Sequence, residues 1–75
     1  MSNIHKMHQR IRTLRKEAKL TQAQMAQLLA CSVQTYSVYE LGDQIVPLHL
    51  LIHLADLHEV SVDYLLGRTN NRKLK

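Results

Sequence analysis

Residues 21–42 read TQAQMAQLLACSVQTYSVYELG and contain two short helical patterns separated by a very short connection. The first pattern covers Gln22 to Leu29, where apolar residues recur three and four positions apart. The second covers Val33 to Leu41. The three residues between them can only turn sharply, so the stretch predicts two helices joined by a tight turn.

The residues at the ends of the two patterns support this prediction. Thr21 and Ser32 each stand just before a pattern, where a hydroxyl can accept a hydrogen bond from a free backbone N–H. Gly42 follows the second pattern and suits the left-handed conformation that ends many helices.

Two helices around a sharp turn, with the second displayed outward, form the motif with which many proteins read DNA. In this stretch the chain resembles the phage-repressor/Cro-like (XRE) family of helix-turn-helix transcriptional regulators. The matching residues of the motif are Leu20-Thr21-Gln22, Met25-Ala26, Leu29, Ser32, Thr35-Tyr36-Ser37, Tyr39-Glu40 and Gly42. Further matches are Pro47-Leu48, Leu51-Ile52, Leu54-Ala55 and residues 60–67. The resemblance covers about residues 10–68 and implies an all-α, lambda-repressor-like bundle of five helices.

The resemblance also implies which side chains contact double-stranded DNA. Its base-reading positions fall on Val33, Gln34, Ser37 and Val38. Gln34 can bond adenine through two hydrogen bonds, whereas Val33 and Val38 offer only apolar contact, such as to thymine methyl groups. The alternative for the two valines is a helix surface covered by a partner protein.

Contacts with the DNA backbone are expected from two sources. The resemblance implies phosphate contacts at Thr21, Gln22 and Thr35. For Thr21, the alternative is helix capping alone. The loop at residues 43–46, where relatives carry cations, contains none here, so Arg10 and Arg12 with the basic C-terminal tail are expected to supply most of the attraction.

Charge is distributed unevenly along the chain. Residues 1–20 carry six cations and one glutamate, residues 21–67 carry five carboxylates without any lysine or arginine, and residues 68–75 carry four cations. The helix expected to read DNA therefore lies in an acidic segment. This motivates an alternative function, a protein-interaction module such as an antitoxin or anti-regulator on the same fold.

The remaining helices follow from apolar periodicity. A first helix is predicted over about residues 6–19, a fourth from Pro47 to His58, and a fifth from Val62 to Leu66. The fourth is apolar around most of its circumference, so its leucines belong either to the centre of the bundle or to a dimer interface. Residues 1–67 form the predicted domain, and residues 68–75 are predicted to be a disordered basic tail.

Two further features come from the resemblance. An arginine on the first helix pairs with a glutamate at the end of the third in this family, and the matching residues are Arg15 and Glu40. The alternative is two unrelated surface charges. Relatives often dimerise through the last helix, which makes Tyr64, Leu65 and Leu66 candidates for a homodimer interface, unless they belong to the core.

Chain length and composition indicate the size of the core and the cellular compartment. A chain of 75 residues forms one small core, for which dimerisation is a plausible aid to stability. One cysteine, Cys31, fits a reducing cytoplasm, and neither a signal sequence nor an apolar run long enough for a membrane span is expected.

The sequence favours neither catalysis nor cofactor binding. It lacks a glycine-rich phosphate loop, a convincing carboxylate pair and a catalytic triad, so we expect a protein that is not an enzyme and has no cofactor. Histidines four apart at His49 and His53, and three apart at His5 and His8, raise the alternative of a metal site. Two ligands make a poor site, so surface histidines are the preferred interpretation and no metal is expected.

Overall fold

The structure is a computed structural model that describes residues 4–73, with side chains described from residue 6 to residue 73. Within this range the chain forms helices α1 (Ile4–Glu17), α2 (Gln22–Leu28), α3 (Val33–Leu41), α4 (Leu48–His58) and α5 (Val62–Leu66). The predicted all-α fold with a helix-turn-helix at α2 and α3 is confirmed. None of the described helices is both long enough and apolar enough to cross a membrane.

Each of the five helices ends with the same pair of backbone hydrogen bonds around one residue in the left-handed conformation. After α2, for example, the N–H of Cys31 donates to the carbonyl of Ala26, and the N–H of Ala30 donates to that of Gln27. Only two of the left-handed residues are glycines; the other three are Lys19, Ala30 and Glu59. The positive φ of 61° at Lys19 carries a steric cost that glycine would avoid.

Four helix boundaries differ from the prediction by one or two residues. Helix α1 begins at Ile4 and not at residue 6, and α2 ends at Leu28 and not at Leu29. The predicted first helix extended to residue 19, but α1 ends at Glu17 because Lys19 turns the chain. Pro47 was expected in the first turn of the fourth helix. It instead precedes α4 with an extended ψ of 150°, and the helix begins at Leu48.

The core is aliphatic with three tyrosines and draws on all five helices. Its buried members are Met7, Ile11, Leu14, Met25, Ala26, Leu29, Tyr36, Tyr39, Val46, Leu50, Leu51, Leu54, Ala55, Val60, Tyr64 and Leu65. Helix α3 contributes only one face to this core, through Tyr36 and Tyr39, so its opposite face is left outside.

Residues 68–73, which belong to the predicted disordered tail, make hydrogen bonds to the helical domain in this structure. The carbonyl of Arg72 accepts a hydrogen bond from the N–H of Ser61 at 2.9 Å. The guanidinium of Arg72 donates to both carboxylate oxygens of Glu17, at 2.8 and 3.0 Å, and to the hydroxyl of Tyr64 at 3.2 Å. These bonds fasten the segment across α1 and α5. The last two residues of the predicted tail lie outside the described residues.

Candidate nucleic-acid interface

Helix α2 starts with a reciprocal pair of hydrogen bonds. The Thr21 hydroxyl accepts from the backbone N–H of Gln24 at 3.1 Å, and the Gln24 side-chain carbonyl accepts from the N–H of Thr21 at 2.9 Å. This capping box fixes where α2 begins. The hydroxyl oxygen of Thr21 therefore caps α2. Thr21 is exposed, and its hydroxyl hydrogen can still donate to a phosphate.

Helix α3 is capped in a similar way by Ser32. The Ser32 hydroxyl accepts from the N–H of Thr35 at 3.1 Å and lies 2.9 Å from the Thr35 hydroxyl, to which it donates. Thr35 is exposed, and its own hydroxyl hydrogen remains free to donate outward. The two caps fix where α2 and α3 begin and place both predicted hydroxyl contacts at helix starts, where backbone N–H groups also attract anions.

The outer face of α3 carries most, but not all, of the predicted base-reading residues. Gln34 is exposed, Val33 is 38% exposed, and Ser37 is partly exposed. Val38 is also partly exposed, and it packs against the core.

The orientation of α3 depends on a buried ion pair with α1. Arg15 Nε lies 2.6 Å from Glu40 Oε2, and Arg15 Nη2 lies 3.1 Å from Oε1. The two side chains are only 11% and 2% exposed, so the structure places them together in the interior and not as separate surface charges. Two parallel bonds between a guanidinium and a carboxylate fix the direction as well as the distance of the contact.

Further hydrogen bonds complete the surroundings of this pair. The Gln22 amide donates to Glu40 Oε1 at 3.0 Å, and Arg15 Nη1 donates to the carbonyl of Leu20 at 2.7 Å. Gln22, predicted to contact DNA phosphate, is thus tied to α3, with its second amide hydrogen still available. One carboxylate therefore connects α1, the start of α2 and the end of α3.

The pKa values of the buried groups follow from this geometry. Burial would raise the pKa of Glu40, but the hydrogen bonds it receives, first of all from Arg15, outweigh burial and hold the pKa below its ordinary value. The hydrogen bond to Glu40 raises the pKa of Arg15. Burial, with a smaller contribution from the Glu40 carboxylate, raises the pKa of the Tyr36 hydroxyl. All three groups therefore keep their ordinary protonation states at neutral pH.

His8 makes a second contact between α1 and α3, which no sequence pattern indicated. Its Nδ1 lies 3.1 Å from the carbonyl oxygen of Glu40; since that oxygen can only accept, the Nδ1–H donates. The imidazole also packs on Gly42, where an added Cβ would lie 2.8 Å from the ring. Gly42 is therefore required both by its left-handed φ of 82° and by this close approach.

Arg10, predicted to contact the DNA backbone, makes its contacts within the subunit in this structure. Its guanidinium lies 4.0 Å from the centre of the Tyr64 ring. It donates to the carbonyl oxygen of Tyr64, to that of Thr69 at 2.7 Å, and to the side-chain oxygen of Asn70 at 2.8 Å. Arg10 is thus occupied in holding α5 and the C-terminal segment against α1. These partners lie 54 to 60 residues away in the chain, so no local sequence signal pointed to them.

Arg12, unlike Arg10, lies on the exposed surface of α1. It is exposed, and it lies four residues after His8 and three before Arg15, both of which contact α3. Residues at these spacings share one flank of a helix, so Arg12 projects beside α3. Lys16, four residues further along, and Lys19 in the following turn are also exposed and continue this basic flank.

The residues proposed for dimer contacts are mostly inside the subunit. Leu65 is fully buried, Tyr64 is buried beneath Arg10, and Leu66 is partly buried against the core. Tyr64 and Leu65 therefore offer little surface to a partner copy. Their core alternative describes the structure.

Cys31 and the histidines contribute no further site chemistry. Burial raises the pKa of the Cys31 thiol, which disfavours the reactive thiolate. Within the part of the chain described by the structure, no three histidine, cysteine or acidic side chains converge as metal ligands. The side chain of His5 lies outside that part.

Comparison with known proteins identifies the family. The chain belongs to the helix-turn-helix domain family, whose sequence profile matches residues 9–65. It is 44% identical over 63 residues to the uncharacterized HTH-type transcriptional regulator YobD of Bacillus subtilis, a match covering 84% of this chain and 56% of that protein. These findings confirm the predicted resemblance to helix-turn-helix regulators.

Two other relatives show similar coverage. The uncharacterized HTH-type transcriptional regulator YqaE of Bacillus subtilis is 38% identical over 64 residues, covering 85% of this chain and 55% of that protein. The cryptic phage CTXphi transcriptional repressor RstR of Vibrio cholerae is 38% identical over 63 residues, covering 84% and 56%. The chain thus spans about half the length of the curated relatives it matches. No solved structure matches the chain significantly.

The buried ion pair predicts a large loss of stability in Arg15→Ala. This substitution leaves the Glu40 carboxylate buried without its cation, which typically costs about 3 kcal/mol or more. For a domain of this size, the melting temperature is expected to fall by more than about 10 °C in thermal unfolding followed by circular dichroism. Arg68→Ala is the matched control, because the Arg68–Asp63 pair is 3.4 Å long and both side chains are largely exposed.

The same pair predicts how stability depends on pH. Because the pKa of Glu40 is lowered by folding, its contribution is present above the ordinary value of 4.5 and is lost as the pH falls through the lowered value. The stability difference between wild type and Glu40→Gln should therefore shrink as the solution is acidified. Equal melting temperatures of Arg15→Ala and wild type at neutral pH would contradict this account of the pair.

Proposed function

We propose that this chain is the DNA-binding part of a transcriptional repressor that acts as a homodimer on double-stranded DNA. In this proposal, α3 enters the major groove, and two copies read half-sites about 34 Å apart on a pseudo-palindromic operator. The observation that carries the proposal is the outward face of α3, where Gln34 and Val33 stand on a helix whose other side is anchored in the core. The names of the relatives, regulators and one phage repressor, support the same function.

The proposed base contacts are fewer than the family resemblance implies. Gln34 is the residue best suited to read adenine, with Val33 and Ser37 beside it. Val38 is left out because it packs against the core. An apolar side chain such as Val33 fits a thymine methyl group, so we expect adenine and thymine at the steps facing the start of α3.

The proposed contacts with the DNA backbone come from the starts of α2 and α3 and from the basic flank of α1. The hydroxyls of Thr21 and Thr35 and the free amide hydrogen of Gln22 lie at or near the starts of α2 and α3, where backbone N–H groups also face outward. Arg12 and Lys16 supply the positive charge beside them. Because such cations are few, the affinity should fall only modestly with salt.

One observation favours a second function on the same fold. Residues 21–67 carry no lysine or arginine, and the outward face of α3 presents a valine. A surface of this kind suits a protein partner, as in an antitoxin or anti-regulator. Titration against random and selected duplexes at two salt concentrations separates the two functions. Absence of binding to every duplex at low salt would leave only the protein partner.

Gln34→Ala tests base reading directly. Loss of one bidentate contact should reduce discrimination between the selected site and a site altered at the facing base pair by about 5- to 100-fold. Binding to random duplexes should change little. Gln27→Ala, at an exposed glutamine of α2, is the matched control and should leave discrimination intact. An equal loss on all duplexes would show that Gln34 touches only the backbone.

Substitution of Arg10 is expected to lower stability, whereas substitution of Arg12 is expected to lower DNA affinity. Arg10→Ala should cost about 2 kcal/mol of stability through the lost ring contact and hydrogen bonds, with unchanged DNA affinity per folded molecule. Arg12→Ala should leave the melting temperature unchanged but weaken binding to all duplexes and reduce the salt slope by about one unit. Fluorescence anisotropy at several salt concentrations, with melting curves, measures both. A stability loss in Arg12→Ala without any loss of affinity would contradict the proposed roles.

A further inference from the structure

The imidazole of His8 completes the cap at the C-terminal end of α3. The last four carbonyl groups of an α-helix have no partner within the helix. At the end of α3, two of them accept hydrogen bonds from the backbone N–H groups of Gly42 and Asp43. The next carbonyl, that of Glu40, accepts from His8 Nδ1 at 3.1 Å. A side chain of α1 therefore supplies a donor to the end of α3.

Glu40 is bonded to α1 through both its side chain and its main chain. Side chains of a helix lean toward its N-terminus, whereas carbonyl groups point toward its C-terminus. The ion pair with Arg15 therefore holds α3 on one side of the Glu40 Cα, and the bond from His8 holds it on the other. The two α1 residues lie seven positions apart, about 10 Å along the helix axis. Together they resist a tilt of α3 that one contact alone would permit.

The position of the imidazole is fixed by packing as well as by its hydrogen bond. His8 is partly buried, and its ring lies against Gly42, where an added Cβ would come within 2.8 Å of the ring. A side chain confined by packing holds a contact more precisely than a mobile surface side chain does. His8 can therefore set the direction of α3 and not merely follow it.

We propose that His8 is a positioning residue for base reading: its Nδ1–H fixes the direction of α3, and α3 in turn places Gln34 against its base pair. The second half of this statement rests on the proposed function. His8 acts only through α3, because it meets that helix at Glu40 and Gly42, the end opposite to Val33 and Gln34.

A small change in the direction of α3 is enough to affect base reading. Gln34 lies six residues before Glu40, about 9 Å along the helix axis, so a tilt of about 6° at Glu40 moves Gln34 by about 1 Å. A bidentate hydrogen bond to adenine is weakened by such a shift, because hydrogen bonds depend steeply on distance and angle. The exposed cations of α1 attract phosphates over longer distances, and a tilt of α3 does not move them. Loss of the His8 donor should therefore lower discrimination between sites more than binding to random duplexes.

Three substitutions separate the donor of His8 from its ring. His8→Phe keeps a flat ring beside Gly42 and removes the hydrogen-bond donor. His8→Asn removes the ring but keeps an amide N–H in the place of Nδ1. His8→Ala removes both, and so provides a second variant without the donor. His53→Phe, at a histidine exposed on α4, is the matched control.

The first measurement is discrimination between the selected site and a site altered at the base pair facing Gln34. It is followed by fluorescence anisotropy and expressed per folded molecule, with the folded fraction taken from melting curves. Discrimination should fall by about 3- to 10-fold in His8→Phe and His8→Ala, a part of what a bidentate contact contributes. It should keep the wild-type value in His8→Asn and His53→Phe. A purely structural role would lower the melting temperature and leave discrimination unchanged.

The second measurement needs no DNA. Residual dipolar couplings of the backbone amides give the angle between α1 and α3 in each free protein. This angle should change by several degrees in His8→Phe and His8→Ala, and should match wild type in His8→Asn and His53→Phe.

Three results would overturn the inference: an unchanged angle in the two variants without the donor, wild-type discrimination in those variants, or equal effects in His8→Phe and His8→Asn. If wild type binds no duplex, the proposed function fails, and the couplings still decide whether His8 fixes the direction of α3. The two failures are therefore distinguishable.

Discussion

The ion pair between Arg15 and Glu40 is the constraint on which the outward display of α3 depends. A carboxylate this deeply buried is tolerated only because a guanidinium and an amide supply charge-assisted hydrogen bonds. These groups come from α1 and from the start of α2, so satisfying one buried charge fixes three helices relative to one another. Tyr36 and Tyr39 then fill the core from the same side of α3. The opposite face, with Val33 and Gln34, is left outside as a consequence.

Some basic side chains of α1 make contacts that stabilise the fold, and others are exposed and able to attract an anionic ligand. Arg15 forms an ion pair with Glu40. Arg10 contacts the ring and the carbonyl of Tyr64 and donates to the segment that follows α5. Counting arginines therefore overstates the charge available to an anionic partner. Arg12, Lys16 and Lys19 remain exposed, and the proposed DNA contact depends on them together with neutral donors at the helix starts. This division accounts for how an acidic central segment can still support a proposed nucleic-acid interface.

Features that depend on residues three or four positions apart were predictable from the sequence. Contacts between residues far apart in the chain were not. The hydroxyl caps at Thr21 and Ser32 and the stop at Gly42 follow from neighbours three or four residues away. The contacts of Arg10 and Arg72 join positions more than 50 residues apart through a tyrosine ring or a carboxylate, which no local pattern indicates. Burial of Leu65 and partial burial of Val38 likewise depend on which helices pack together. The pairing of Arg15 with Glu40 was expected only through family resemblance.

The central claim is that the ion pair holds α3 so that its outer face can enter a duplex. Amide chemical shifts of the labelled protein, followed while a selected duplex is added, test it most directly. The account predicts that shifts concentrate at Val33, Gln34 and Ser37 and at the start of α2, with little change in the buried part of α4. Changes confined to residues 41–52, or no change at any duplex concentration, would contradict it.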